Sequence, residues 1–568
     1  MVLLVLLCSA GTYAQEQLTI QQRADKLFER YQYSKALSLY FELVNKNKIA
    51  TSVLEHIAGC YRNMNRYDDA EKWYSLVIAD PKAASINHYY YAEALQRNRK
   101  FALAKKEYQI FYGDNVGAGK LKLAACDSAA AWIQNPLNYR VFALPGINTP
   151  YADWGLSYGA DSLLVFTSDR LIDNSQVDDR TGNSWFRLYQ SRHGGKVERF
   201  DVKLDSARLY KNKYHIGPIA FNNTNDTAYV TVTTDSAQTK LPMDKGKPRP
   251  VQRLYSRRMQ LLVAVKQSGY WLAKGGFPYN NVHYSIGHAT LTSNGRLIYF
   301  TSDMPGGEGK TDIWYCEKQP DGKWGKPINC GKNINTKEED EFPFIQADSV
   351  LYYSSTGLLG MGGYDIYKTK GNRASWAVPQ NLKYPINTTG DDFYLVTTDG
   401  LTGYLSSNRS GGKGNDDIYA FAQGANLIPL APPIAAALDT VPVTPQLLAK
   451  GEYVIKTIYY DVDKSLIRPD AATELDRLAV ILKDHPKMQL KLSSYCDSRA
   501  SYKYNLSLSK RRAKAAVLYL VSKGVLLGRI AGEGYGKTRL LNQCATHVKC
   551  PEADHQLNRR TEFKLSYK

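Results

Sequence analysis

The 568-residue sequence predicts a multidomain chain combining three fold classes: an α-helical repeat solenoid, an all-β six-bladed propeller and an α/β C-terminal domain. Three observations carry this prediction. Alanine and aromatic positions recur every 34 residues near the N-terminus, and short β runs punctuated by Gly and Asp recur every 52 or 53 residues through the middle. Strand-like and helix-like periods then alternate near the C-terminus. At about 150 residues per domain, the length suits three or four domains. A composition of 43% hydrophobic and 22% charged residues excludes a mainly disordered or collagen-like chain.

Taken in chain order, residues 1–14 read as a signal peptide. Val2–Leu7 is an apolar stretch, and Thr12-Tyr13-Ala14 before Gln15 offers a small-residue cleavage site. Cys8 offers lipidation as an alternative, although Leu7 before it is bulky. The longest apolar run, Val2–Cys8, is far short of the ~20 residues of a membrane-spanning helix, so no transmembrane helix is predicted. The 73 Lys and Arg against 54 Asp and Glu leave a net charge of +19, which favours anionic partners. Export argues against nucleic acid as that partner and makes disulfides permissible. Cys544 with Cys550, and Cys316 with Cys330, are the plausible pairs by proximity, since sequence does not fix connectivity.

Residues 15–135 carry the first repeat. Ala36, Ala70 and Ala104 are each 34 apart, as are Tyr33, Tyr67 and Phe101, and Tyr40, Tyr74 and Tyr108. A small residue lets two helices approach closely, and aromatics three before and four after it fill the adjacent grooves. The pattern resembles tetratricopeptide repeats, with a further helix near 119–133 capping the stack. Such a resemblance implies protein binding on a concave face.

Residues 136–421 change texture. Ile334-Asn335-Thr336 leads to Asp340-Glu341-Phe342, Leu351-Tyr352-Tyr353-Ser354-Ser355 and Asp365-Ile366-Tyr367. The next unit runs Ile386-Asn387-Thr388, Asp391-Asp392-Phe393, Tyr404-Leu405-Ser406-Ser407 and Asp417-Ile418-Tyr419. Asp312-Ile313-Trp314 belongs to an earlier copy, and degenerate ones start near Ile147 and His215. One unit per four-stranded blade is the expectation, with a sixth blade from 170–215, from 235–285 or from closure by both ends of the domain. The repeats resemble TolB-like, WD-repeat-like propellers. Asp312, Asp365 and Asp417 are expected to accept backbone N–H groups in blade turns. Residues 422–450, with Pro432-Pro433 and Pro442, read as a semi-rigid linker.

Residues 451–568 alternate in the order β-α-β-α-β-(α)-β. Val454–Tyr460 is strand-like, Pro469-Asp470 opens a helix carrying Leu475, Leu478 and Leu482, and Met488, Leu490 and Leu492 alternate as a second strand. A second helix carries Ala513, Ala516, Val517 and Leu520 and is expected to stop at Gly524; Phe563, Leu565 and Tyr567 alternate in a last strand. Five blocks occur in order: Tyr459-Tyr460-Asp461-Val462-Asp463, Tyr495-Cys496-Asp497, Asn505 to Ala513, Gly534-Tyr535-Gly536 and Asn558-Arg559-Arg560. They resemble the OmpA-type C-terminal domain, the peptidoglycan-binding module also found in peptidoglycan-associated lipoproteins. That resemblance implies that Asp497 and Arg512 grip the diaminopimelate of the stem peptide, a carboxylate for its ammonium and a guanidinium fork for its carboxylate. Asn505 and Arg559 match further motif positions and line the implied pocket. The family's usual His-Thr or His-Ala before the Asp is Tyr495-Cys496 here, and its following Gly is Ala500.

Two motifs suggest an enzyme but lack the required context. Gly155-Leu156-Ser157-Tyr158-Gly159 has G-x-S-x-G spacing but precedes a β run rather than a helix. Ala531 to Thr538 falls short of a phosphate loop at Ala531, and its Gly534-Tyr535-Gly536 belongs to the C-terminal family pattern. The nine histidines form no H-E-x-x-H or similar cluster, so neither a metal nor a cofactor is predicted. The whole reads as a non-catalytic envelope scaffold, anchored to peptidoglycan and recruiting outer-membrane or periplasmic proteins. It resembles multidomain OmpA-family proteins of Bacteroidota, including PorE-like components of type IX secretion systems, although those usually carry a further β-sandwich where this chain has the linker. The alternative is a periplasmic hydrolase or sugar-binding protein working through the propeller, which an acid–base pair in the central channel would support.

Overall fold

The computed structural model describes residues 18–44, 50–170, 178, 180–192, 195–203, 215–237, 255–424, 455–465, 467–486, 488–523, 525 and 529–567. The expected signal peptide, linker residues 425–450 and the helix stop at Gly524 lie outside them. The chain divides into two compact units, Met1–Ala83 with Asp179–Gly182, and Ala84–Asp178 with Asn183–Lys568. Among the described residues no helix is long and apolar enough to cross a membrane.

The first unit holds two helical hairpins, α1 (Ile20–Glu29) with α2 (Tyr33–Val44) and α3 (Thr51–Asn63) with α4 (Tyr67–Val77). A capping box starts α1: Thr19 Oγ1 accepts from Gln22 N at 3.2 Å and Gln22 Oε1 accepts from Thr19 N at 3.0 Å. The repeated Ala36, Ala70, Tyr40 and Tyr74 are buried as the spacing requires. In the second unit α5 (Ile86–Arg97) and α6 (Phe101–Tyr112) form a like hairpin, on which α7 (Val116–Gln134) packs. Left-handed residues end the first helix of each hairpin at Tyr31, Asn65 and Arg99, so the 34-residue period is written in the backbone as well as in the side chains. Gln96 and Arg97 fasten α5 to the β region. Gln96 Nε2 donates to Met361 O at 3.1 Å, and Arg97 pairs with Asp391 at 2.7 Å.

Among the described residues the β region forms five sheets, antiparallel except for one edge pair, where Trp271-Leu272 runs parallel to Val202-Lys203. Their innermost strands are Asp153–Tyr158, Ile216–Phe221, Ile286–Leu291, Asp340–Gln346 and Asp392–Thr397. Each innermost strand contacts the next and the fifth contacts the first, so the sheets close into a ring of blades. The expectation of six blades is corrected. Of the two stretches offered for a sixth blade, the described part of 170–215 supplies Arg187–Arg192 to the first blade, and the described part of 235–285 supplies Tyr255–Gln267, paired along Thr227–Ala237, to the second. Closure by both ends of the region completes the fifth blade, with Tyr139–Ala143 pairing along Asp417–Gln423. A register shift interrupts every innermost strand at the same level, at Gly155, Gly217, His288, Phe342 and Tyr394, all with positive φ. Gly155 of the G-x-S-x-G motif is therefore a bulge residue, and Ser157 Oγ donates to Ile219 O at 2.5 Å.

The repeat motifs are the joints between blades. Asp365 Oδ2 accepts from Met361 N at 2.8 Å, Asp312 Oδ2 from Glu308 N at 2.5 Å and Asp417 Oδ2 from Lys413 N at 2.5 Å. Each Ile-Asn-Thr asparagine then clasps the backbone of an Asp-Ile strand in the preceding blade. Asn335 brackets Ile313 at 2.9 and 3.0 Å, Asn387 brackets Ile366 at 2.8 and 2.9 Å, and Asn148 brackets Ile418 at 2.9 and 2.8 Å across the ring closure. The proposed Cys316–Cys330 bridge is corrected: both thiols are free and buried. Cys330 N donates to Ile313 O, placing Cys330 opposite residue 313 rather than 316. One step of side-chain alternation then sends the two sulfurs into different core clusters.

The C-terminal domain has its own core. Strands β1 (Ile458–Tyr459), β2 (Met488–Ser494), β3 (Ile530–Gly534) and β4 (Arg560–Tyr567) form one sheet in the order β1-β4-β2-β3, with β2 and β3 parallel and the other pairs antiparallel. Helices α8 (Pro469–Asp484) and α9 (Tyr502–Ser522) bury Leu475, Leu478, Leu482, Ala516 and Leu520 against Met488, Leu490 and Leu492. A short helix α10 (Glu552–Asn558) precedes β4. Gly534 has a steric reason: a Cβ there would meet Lys510 N at 2.2 Å, so only glycine lets β3 lie this close to α9.

Candidate functional site

The β2 strand ends at Ser494 and the chain turns through Tyr495 to Ser501 before α9 begins. Several groups hold this loop. Asn505 Nδ2 donates to Asp497 O at 3.0 Å and to Ala500 O at 3.1 Å. Lys537 Nζ donates to Ala500 O at 2.9 Å, and Ser498 Oγ donates to Cys544 O at 2.5 Å. Cys544 and Cys550 are joined in a disulfide with Cα atoms 5.8 Å apart, so the loop carrying Cys544 is itself braced. Tyr495 lies between Tyr535, stacked at 5.5 Å, and Arg560, whose guanidinium carbon is 4.1 Å from the ring centre. Ala500 lacks the positive φ that would demand the glycine usual at its position.

Asp497 is the centre of this loop and is buried. Its Oδ2 accepts from Arg559 Nη1 at 2.9 Å and from Arg499 Nη2 at 2.6 Å. Burial opposes its charge, yet the Arg499 and Arg559 guanidiniums hold its carboxyl below the usual range. Glu552 closes the figure, accepting from Arg499 Nη1 at 2.8 Å and from Arg559 Nη2 at 2.7 Å. Two carboxylates and two guanidiniums thus alternate in a ring. Its inner half is closed, with side-chain exposures of 10% for Asp497 and 2% for Arg559; its outer half is open, at 41% for Arg499 and 46% for Glu552.

The four site residues expected from sequence do gather here, but with different tasks. Arg559 is a buried ion-pair partner, and Asn505 is a clamp on the loop backbone rather than a pocket wall. The Arg512 fork is turned into the protein, with the residue 0% exposed. Its Nε donates to Lys464 O at 2.8 Å, Nη1 to Tyr495 O at 3.0 Å and Cys496 Sγ at 3.3 Å, and Nη2 to Asp461 O at 2.9 Å. Of a guanidinium's five N–H groups, four are thereby committed to the chain. Arg512 ties the β1–α8 loop to the Asp497 loop, with its guanidinium carbon 5.0 Å from the centre of the Tyr460 ring. Sequence reasoning missed Arg499 and Glu552. The available signal was a second charged residue two positions after Asp497, and an acid opening the helix before Arg559.

The ring axis is the other place where titratable groups converge. His288 Nδ1 lies 3.8 Å from Glu341 Oε2. Trp154, Phe342, Phe393 and Tyr394 wall the pair in, and His288 stacks on Phe342 at 4.4 Å. Burial pushes the Glu341 carboxyl up to about 8 and the His288 imidazole down to about 3, so both are neutral near pH 7. The distance exceeds a hydrogen bond and aromatic rings close the approach. Beyond the bulges the axis opens into a cavity of about 120 Å³ lined by all five blades, including Ser157, Phe221, Thr290, Phe344 and Tyr394.

The C-terminal fold and this loop define an OmpA-like domain, and residues 459–553 match the OmpA family. The chain is 41% identical over 87 residues to the peptidoglycan-associated lipoprotein of Mesorhizobium japonicum, covering 15% of this chain and 52% of that protein. It is 36% identical over 110 residues to the peptidoglycan-associated lipoprotein of Pseudomonas aeruginosa, covering 19% and 62%. The chain spans about half the length of the curated relatives it matches. The crystal structure of the peptidoglycan-associated lipoprotein from Burkholderia pseudomallei aligns over 20% of this chain and 90% of that one, at 25% identity and a TM-score of 0.18.

Proposed function

We propose that this protein is an exported, non-catalytic scaffold of the cell envelope, held to peptidoglycan by its OmpA-like domain at the periplasmic face of the outer membrane. One observation carries the reading. In a domain similar to that of peptidoglycan-associated lipoproteins, Asp497 sits charged on a clamped loop beside an open, polar outer rim, an arrangement suited to the ammonium of a diaminopimelate stem peptide. The helical hairpins, read as tetratricopeptide repeats, and the ring of blades, read as a TolB-like propeller, then serve to recruit protein partners. The order of these parts resembles PorE-like proteins, which supports a role in a type IX secretion-related assembly.

Co-sedimentation of the full chain with diaminopimelate-type peptidoglycan tests the anchor, beside Asp497→Ala and a chain ending at residue 421. Binding by the full chain and its loss in both variants is the expected outcome. Retention by the shortened chain would move the anchor into the blades or hairpins. Among the described residues, the His288–Glu341 pair at the ring axis is the feature that would serve a propeller hydrolase, and aromatic rings cover it.

A further inference from the structure

Three joints of the blade ring share one seat for a cation, and at one of them the arginine that fills it is missing. Where Asp153 and Asp392 open the innermost strands of the first and fifth blades, a guanidinium lies against the carboxylate. Arg170 Nη2 donates to Asp153 Oδ1 at 2.5 Å and to Ile147 O at 2.9 Å, and its Nε to Ser168 Oγ at 2.9 Å. Arg409 repeats this on Asp392 Oδ1 at 2.7 Å, Ile386 O at 2.7 Å and Ser407 Oγ at 3.0 Å. The joint between the third and fourth blades keeps the three acceptor residues as Asp340, Ile334 and Ser355, yet Gly357 stands at the arginine position. Its backbone is otherwise alike: Gly357 N donates to Ser355 Oγ at 3.1 Å, as Arg409 N does to Ser407 Oγ at 3.1 Å. A Cβ at Gly357 would meet Thr336 Oγ1 at 2.1 Å, so no side chain can reach the seat from there.

We infer that a calcium ion takes the place of this guanidinium, held by Asp340 Oδ1 and Asp312 Oδ1 from the two adjoining blades. Asp340 N donates to Thr311 O at 2.9 Å, which sets Asp340 beside Asp312, the residue after Thr311. The two residues are 0% and 1% exposed, and each carboxylate uses one oxygen within the chain. Asp340 Oδ2 accepts from Thr336 N and Oγ1, and Asp312 Oδ2 accepts from Glu308 N and Asn329 Nδ2. Among the described residues both Oδ1 atoms lack a hydrogen-bond partner. A buried carboxylate oxygen is costly unless a cation or a proton meets it. Burial, with the charge of Asp312 added, pushes the Asp340 carboxyl up to about 6. The donors are oxygen atoms and include two carboxylates, which matches a hard divalent cation in charge. Calcium accepts an irregular oxygen set, whereas magnesium demands a near-ideal octahedron. Ser355 Oγ, Ile334 O and water complete the shell, and the ion staples the third blade to the fourth.

Calorimetric titration of the chelator-treated full chain with calcium chloride tests the site. Wild type is expected to bind one ion there with a dissociation constant on the order of 10⁻⁴ M, as extracellular calcium modules do. Asp312→Asn keeps an oxygen for Glu308 N and should weaken that binding at least about tenfold by removing one of two carboxylate charges. Asp340→Asn should do the same. Asp417→Asn, the counterpart of Asp312 at a joint that holds Arg170, should leave it unchanged. No calcium binding by wild type, undiminished binding in Asp312→Asn, or an equal loss in Asp417→Asn would overturn the site, and the two buried aspartates would then share a proton instead.

Discussion

The Asp497 loop and the axis of the blade ring bury carboxyl groups in the same chain with opposite results. Asp497 has two guanidiniums within 2.9 Å and stays charged despite burial. Glu341 has His288 at 3.8 Å, and burial, reinforced by the nearby acids Glu339, Asp340 and Asp303, raises its carboxyl to about 8. Burial alone decides little; the partner decides whether a buried acid remains a charge able to bind a cation or becomes a neutral packing group. The C-terminal loop thus keeps a charged carboxylate at its rim, whereas the ring axis buries a neutral one.

The largest effect that sharpens the contrast concerns Arg512. If it is a tie between loops, Arg512→Ala should destabilise the C-terminal domain by about 3 kcal/mol or more, because buried carbonyls lose their donor and a cavity opens. Urea unfolding followed by the near-ultraviolet signal would read this, and a loss below about 1 kcal/mol would return Arg512 to the role of an open ligand fork.

Next comes the brace beside the loop. A disulfide closing so short a segment is worth about 2 kcal/mol, so Cys544→Ser with Cys550→Ser should lower the unfolding free energy by about that much. Because Ser498 hangs on Cys544 O, the same variant should also weaken peptidoglycan co-sedimentation. Undiminished binding would show that the loop is held by Asn505 and Lys537 alone.

The smallest effect belongs to the ring axis and depends on pH. Glu341 is raised from an ordinary value of 4.5 to about 8, so folding benefits from it fully below pH 4.5 and loses that benefit as pH rises through 8. His288, lowered from 6.5 to about 3, works the other way, and its benefit is lost as pH falls from 6.5 towards 3. Glu341→Gln mimics the neutral acid. Relative to wild type it should gain more than about 1 kcal/mol between pH 5 and pH 8, measured by denaturant unfolding at both. A constant difference across that range would mean that Glu341 is already ionised and that the axis is a wet, charged channel.

Several features of this protein were legible in sequence because they are local or periodic. The Ala36/Ala70/Ala104 period requires buried close approaches, and those alanines are buried. The alternation Met488, Leu490, Leu492 placed a strand face in the core, and the blade aspartates capped the turns their spacing implied, since a turn is satisfied by residues four apart. The OmpA-like blocks located the Asp497 loop through short-range pattern alone.

Tertiary structure alone decided the rest. Among the described residues, five blades rather than six depended on which distant strands paired, as where Tyr255–Gln267 runs along Thr227–Ala237 within one blade. Cys316 and Cys330 were near in sequence, but strand alternation separated their sulfurs. The different settings of Arg512 and Arg499 are the clearest case. Both are arginines close to Asp497 in the chain, and only the packing of α9 against the Asp461–Lys464 loop encloses one guanidinium among carbonyls and leaves the other at the surface.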